Sequence, residues 1–108
     1  MKAKTPIVVC LCGSTRFADE FRAANLRETI AGKIVLSIGC DTKSDSDLIV
    51  LGKLTVEAKA KLDTLHLRKI DLADEVLILN VGGYIGDSTG RELEYAKSKG
   101  KVIRFLEA

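Results

Sequence analysis

Residues 75–96 read Glu75-Val-Leu-Ile-Leu-Asn80, then Val81-Gly-Gly-Tyr84-Ile-Gly86, then Asp87-Ser88-Thr-Gly-Arg-Glu92-Leu-Glu94-Tyr95-Ala96. The apolar run from Val76 to Leu79 has no polar residue interleaved, the pattern of a strand buried on both faces of a parallel sheet. The glycine-studded stretch after Asn80 reads as a loop. A helix is expected over Thr89–Lys99, with a serine or threonine able to cap it, and Gly100 ends it. Open α/β sheets place their chemistry at such a joint, where a strand's carboxyl end meets a loop and a helix. Glu92 stands one turn inside this helix.

The same alternation extends in both directions. Pro6 precedes a second β-branched run, Ile7–Leu11, and the turn Cys12-Gly13-Ser14-Thr15 follows it. A helix is expected over Arg16–Ala31, with Phe17, Phe21 and Ala24 on one stripe and Asp19, Arg22 and Arg27 toward water. After Gly32, Ile34–Ile38 is expected to form a strand. The polar stretch from Cys40 to Asp47 has a surface-loop composition suited to a lid. A third helical pattern covers Thr55–Ala73, with Val56, Leu62, Leu65, Ile70 and Leu72 as its apolar positions. Glu57, Lys59, Lys61 and Asp63 fit its solvated face. Val102–Leu106 closes the chain as a strand. Strand and helix alternate without repeat or linker, which predicts one α/β domain over 1–108. The expected architecture is a flavodoxin/Rossmann-like three-layer sandwich with a mostly parallel sheet of four to five strands.

Bulk composition narrows the function. Seventeen Lys and Arg against fifteen Asp and Glu give a formal charge of +2, too small to draw nucleic acid or membrane by electrostatics alone. No basic stripe with interleaved aromatics is present, so a small molecule is the expected ligand. No apolar stretch approaches a membrane span, and the first residues lack a signal-peptide pattern, so a soluble cytoplasmic protein is expected. Cys10, Cys12 and Cys40 are odd in number and two of them fall on a strand pattern, so they read as reduced core thiols. One histidine and three cysteines lack the CxxC and HExxH spacings of zinc sites, so no metal is expected. Nor does a Ser-His-Asp arrangement or a nucleophile elbow stand out.

Three constellations carry chemistry. Gly13-Ser14-Thr15-Arg16 joins the first strand to the first helix, where backbone N–H groups and a helix dipole favour an anion. Ser14 and Thr15 add hydroxyls, and Arg16 suits a phosphate or carboxylate. The alternative is a Ser or Thr cap followed by a surface arginine. The turn has neither Walker A nor dinucleotide-fingerprint spacing. The second constellation is Leu65-His66-Leu67-Arg68-Lys69-Ile70-Asp71-Leu72-Ala73-Asp74. A lone helical histidine is more often a polar surface residue than a catalyst, and Asp71 and Asp74 suit a helix-to-strand junction. The third is Glu92 with Glu94. Two residues apart, they cannot share one helix face, so only Glu92 is expected to face the crevice, with Leu93, Ala96 and Tyr95 burying the helix. A favourable charge near a helix N-terminus, worth about 0.3–1 kcal/mol, is the competing reading of Glu92.

In this order and spacing the three constellations resemble the nucleoside 2-deoxyribosyltransferase superfamily, including its 2′-deoxynucleoside 5′-monophosphate N-glycosidase branch. The resemblance covers nearly the whole chain. Cys12-Gly13-Ser14-Thr15-Arg16 is similar to the phosphate-side turn of the hydrolase branch, and Ala73-Asp74-Glu75-Val76 to the strand before the active loop. Glu92-Leu93-Glu94-Tyr95-Ala96, with Lys99-Gly100-Lys101-Val102, resembles the segment bearing the family's catalytic glutamate. The resemblance implies Glu92 as nucleophile at C1′, or as the carboxylate stabilising an oxocarbenium-like transition state. It implies Gly13, Ser14, Thr15, Arg16 and Ser88 around a 5′-phosphate, Asp87 orienting base or sugar, Tyr84 lining the pocket, no cofactor, and a homodimer or larger homo-oligomer. The family commonly has an aspartate where this chain has His66, whose imidazole can act as acid or base. The Asp87–Glu92 spacing is one residue shorter than in many transferases. A non-catalytic nucleotide-binding module is the alternative reading.

Overall fold

The computed structural model describes residues 5–38 and 56–108; the expected lid at 40–47 and Cys40 lie outside them. In chain order the elements are β1 (Val8–Cys12), α1 (Ala18–Ile30), β2 (Ile34–Leu36), α2 (Val56–Leu72), β3 (Glu75–Ile78), a short 3-10 turn (Val81–Gly83), α3 (Asp87–Ser98) and β4 (Val102–Phe105). Each expected strand and helix forms, with boundaries moved by at most two residues. Among the described residues, no helix is long and apolar enough to cross a membrane.

The four strands form one sheet in the order β2-β1-β3-β4, and every pairing is parallel. Cys10 stands level with Leu36 on one side and with Val76 on the other. Since successive side chains on a strand point to opposite faces, β1 and β3 each split their residues between two cores. Val9, Leu11, Leu77 and Leu79 pack against Phe21 and Ala24 of α1. On the opposite face, Cys10, Cys12, Val76 and Ile78 pack against Ile70, Leu93 and Ala96 of α2 and α3. These are the three layers of a Rossmann-like sandwich, with Val9, Cys10, Leu11, Val76 and Ile78 fully buried. Complete burial of each aliphatic side chain in this set contributes about 1.5–3 kcal/mol.

From β1 the chain crosses through α1 to one side, then returns through α2 and α3 to the other. The strand order therefore reverses between β1 and β3, and the loops at their carboxyl ends flank a topological switch point. The short backbone link Leu79 N–H to Cys12 O, 2.8 Å, continues the ladder beyond both strands up to this point. Asp74 has a structural role here, as its Oδ2 accepts the Val8 N–H at 2.9 Å.

The apolar face expected of α2 requires correction. Leu65 is 52% exposed and Leu72 is 72% exposed, whereas His66 and Ile70 are buried and Leu67 is half-buried. The inward stripe is set by the sheet beneath, which meets positions 66, 67 and 70, and by α3 alongside. The edge strands also show more than their pattern suggested, with Ile34, Val102 and Phe105 exposed.

On the α1 face, four charged residues distant in sequence meet. Arg104 Nη1 lies 2.7 Å from Glu28 Oε1 and 2.8 Å from Glu75 Oε1, and Lys33 Nζ lies 2.7 Å from Glu75 Oε1 and 3.2 Å from Glu28 Oε1. The Arg104 guanidinium, with Lys33 beside it, holds the buried Glu28 carboxyl down from its ordinary 4.5 to about 2. A folded-state value below the unfolded one means the stabilisation is complete above the ordinary value and is lost as pH falls toward 2. Acid titration of the thermal midpoint should therefore fall between about pH 5 and 2. In Glu28→Gln this fall should be shallower, and at neutral pH the variant should unfold with roughly 2 kcal/mol less stability in urea, because two cations lose one of the two carboxylates they share.

Candidate active site

Two groups of side chains assemble around the switch point. The first belongs to the turn after β1. Ser14 shapes it: the Arg16 N–H reaches Ser14 Oγ at 3.3 Å, and the Phe17 N–H is donated to Ser14 O at 3.0 Å. α1 then begins at Ala18, with Phe17 at the N-cap and no side-chain cap, so the alternative reading of a Ser or Thr cap does not hold. The Arg16 guanidinium lies 4.3 Å from the centre of the Tyr84 ring and donates from Nη2 to Tyr84 Oη at 3.3 Å. Phe17 meets the same ring edge-on at 6.0 Å. Thus the loop after β3 delivers Tyr84 to the turn after β1, a pairing that sequence spacing does not reveal. Asp19 and Glu20 occupy the first turn of α1 and offset the positive end of its dipole, which leaves Arg16 as the cation at the turn.

Gly13 makes this approach possible. A Cβ at this position would lie 3.0 Å from Leu79 Cβ and 3.4 Å from Leu79 O, both held by the backbone directly after β3. Glycine is required by close packing here, not by its backbone angles. Gly82 and Gly83, at φ 61° and 81°, supply the left-handed bends that turn the chain after Asn80.

The second group centres on Glu92. α3 starts at Asp87, two residues earlier than expected, with Gly86 at the N-cap and no side-chain cap; Ser88 and Thr89 lie inside the first turn. The early start follows from the extended Gly86, whose carbonyl accepts the Gly90 N–H at 2.8 Å. Asp87 is exposed, and Ser88 Oγ accepts from Arg91 Nη2 at 3.1 Å. As expected from their spacing, Glu92 and Glu94 diverge, with side chains 15% and 74% exposed. Glu92 lines a groove of about 170 Å³ between α2 and α3, together with Asp63, Leu67, Ser88, Arg91 and Tyr95. Tyr95 is held there by its O–H donated to Asp71 Oδ1 at 2.6 Å and by Arg68 Nη2 at 2.9 Å.

Of the readings open for His66, that of a polar surface residue is ruled out. His66 is buried, with Nε2 3.4 Å from Cys12 Sγ, 3.7 Å from Cys10 Sγ and 3.9 Å from Glu92 Oε1. The reason is geometric: His66 lies one turn before Ile70, so the helix contact that seats Ile70 on the sheet also seats the imidazole over β1. Cys10 and Cys12 point the same way because they are two apart on a strand. The signal was present in the sequence as two periodicities, but their meeting required the tertiary fold. Cys10 and Cys12 are free thiols, as expected.

This crowding shifts each group. Burial raises the Glu92 carboxyl above the ordinary range, with nearby His66 acting against the rise. Burial alone would lower His66, but the Cys10 hydrogen bond and the charges of Cys10 and Glu92 outweigh it, so the imidazole is raised. The Cys12 thiol donating to Cys10, with His66 alongside, lowers Cys10 to about 6, and Cys12 is raised in turn. The two thiols act as a pair that releases one proton readily and the second reluctantly. Sequence spacing argued against a metal, yet the donor atoms of Cys10, Cys12 and His66 all lie within 4.8 Å of one another.

The fold therefore brings Glu92 and Ser88 to one groove, with His66 buried behind Glu92, and gathers Arg16, Ser14 and Tyr84 at the turn after β1. Gly13 directly follows Cys12 and joins the two. Asp63, Leu67, Arg91 and the two thiols are site residues that sequence reasoning missed. Neither a protein-family model nor a curated protein matches the chain.

Gly13→Ala should cost roughly 1–2 kcal/mol through overpacking against Leu79. Urea denaturation measures the cost, and unchanged stability would contradict the close approach.

Proposed function

We propose that the chain cleaves or transfers at the N-glycosidic bond of a nucleoside 5′-monophosphate or nucleoside. The observation carrying this reading is the half-buried Glu92 carboxylate, facing a sugar-sized groove beside the β1/β3 switch point. The sequence resemblance to the nucleoside 2-deoxyribosyltransferase superfamily supports it. As the base leaves, positive charge develops at the anomeric carbon, and a carboxylate held against it stabilises that charge or bonds to C1′. In the covalent route the C1′–N bond breaks as the Glu92 ester forms, and the base takes up a proton. Water or a second base then releases the sugar. The groove is walled by Leu67 and Tyr95, which leaves Glu92 less hydrated than a surface carboxylate.

In this reading Ser14 and Arg16, with Gly13, Thr15 and Ser88, hold the 5′-phosphate, and Tyr84 keeps the Arg16 guanidinium in place until substrate arrives. Asp87, exposed at the start of α3, orients base or sugar. His66 lies behind Glu92 and acts through that carboxylate, as a positioning residue. The same reading takes the protein as a cytoplasmic homo-oligomer whose neighbouring subunit completes the crevice. Neither nucleic acid nor a cofactor enters it.

One observation favours a second reading, a nucleotide-binding module without turnover. The His66 ring is engaged by two thiols rather than open to a leaving base, which leaves protonation of the base to solvent or to another group. Incubation with deoxynucleoside and ribonucleoside monophosphates, followed by chromatography for free base, separates the two. Turnover is expected, with Glu92→Gln slower by at least about 100-fold. Nucleotide-dependent thermal stabilisation that persists for hours without base release would establish the binder. Arg16→Ala should raise KM for the monophosphate about 10-fold or more while sparing the nucleoside.

A further inference from the structure

We propose that Cys10 Sγ, Cys12 Sγ and His66 Nε2, with the Glu92 carboxylate as fourth donor, form a binding site for a thiophilic divalent ion, zinc in the first instance. The separations already suit a tetrahedral ion. His66 Nε2 lies 3.4 Å from Cys12 Sγ, 3.7 Å from Cys10 Sγ and 3.9 Å from Glu92 Oε1, and the thiol and imidazole donors fall within 4.8 Å of one another. Zinc–sulfur bonds near 2.3 Å and zinc–nitrogen or zinc–oxygen bonds near 2.0–2.1 Å place tetrahedral donors about 3.3–3.8 Å apart. Small rotations of side chains would complete the site, with no movement of backbone.

The supporting framework is rigid. Two donors come from β1, which is hydrogen-bonded on both sides, one from α2 and one from α3. Zinc sites are usually recognised by a CxxC turn, but a strand offers the same convergence at Cys-x-Cys, because alternate residues share a face. Two thiolates and an imidazole select zinc, cadmium or cobalt over magnesium and calcium, which require oxygen donors. Glu92 connects the buried thiols to the α2/α3 groove, where Asp63 adds a second carboxylate along the route inward. Binding displaces the thiol protons and any proton on Nε2 to solvent, leaving neutral His66 bound through Nε2.

The inference does not rest on the glycosidic reading, since four donors can hold an ion whether or not Glu92 acts on a sugar. In a chain that does both, the ion-loaded form is the inactive one, because the ion takes up the Glu92 carboxylate.

Titration of the reduced full chain, carrying Cys40→Ala, with cobalt(II) tests the site without any nucleotide. One equivalent should bind with the intense visible bands of a tetrahedral complex and a thiolate-to-cobalt charge-transfer band in the ultraviolet. Zinc should then displace it, with its affinity read against a chelating dye. Cys12→Ser and His66→Gln should each weaken zinc by about 100-fold or more. Should either variant unfold, cadmium-113 NMR of the Cys40→Ala chain decides, since two sulfur donors give a shift far from that of nitrogen and oxygen donors alone. An octahedral cobalt spectrum, absence of the charge-transfer band, a cadmium shift without sulfur, or undiminished affinity in folded Cys12→Ser would overturn the proposal.

Discussion

β1 is the constraint on which the rest of this molecule depends. It is paired in parallel on both edges and covered on both faces, so every side chain along it has only one place to go. Val9 and Leu11 are committed to the α1 layer, and Cys10 and Cys12 to the layer of α2 and α3. A slip of one residue in its register would exchange these sets and drive the thiols into the wrong core. The same strand ends at Gly13, whose lack of a side chain lets the following turn lie against Leu79. The turn that carries Ser14 and Arg16 and the thiol cluster are thus two ends of one placement.

The two faces of the sheet handle polar groups differently. On the α1 face, Glu28 and Glu75 are matched by Arg104 and Lys33, and the charges neutralise one another at hydrogen-bond distance. On the other face, Glu92 has no Lys or Arg partner of that kind among the described residues; its near neighbours there are an imidazole and two thiols. A carboxylate in such surroundings stays reactive toward developing positive charge or toward a cation, whereas one chelated by arginine does not. This contrast distinguishes a structural acid from a candidate functional one. Both proposals made for the site, glycosidic chemistry and ion binding, draw on it.

Much of the fold was legible along the chain because parallel sheets leave a simple signature. The unbroken apolar runs at 7–11 and 76–79 could be satisfied only by burial on both faces, and the helices between them impose parallel pairing. Glu92 was also legible, since helical spacing separates it from Glu94. The inner face of α2 was not. Its leucines at 62, 65 and 72 form as good a stripe as 66, 67 and 70, and hydrophobicity alone favours the former. Packing against β1 and α3 decides for the latter, at the expense of exposing two leucines strongly.

The sequence by itself determined the order of elements, their parallel arrangement and the position of one acidic residue at a strand–loop–helix joint. These follow from periodicities of two and 3.6 residues, which are local properties of the backbone. Tertiary structure alone decided that His66 is buried, that it meets Cys10, Cys12 and Glu92, and that Tyr84 covers Arg16. Those meetings join residues up to 68 positions apart. No local pattern encodes them, because they arise where a helix face and a strand face, each set by its own period, are pressed together by the burial of everything else.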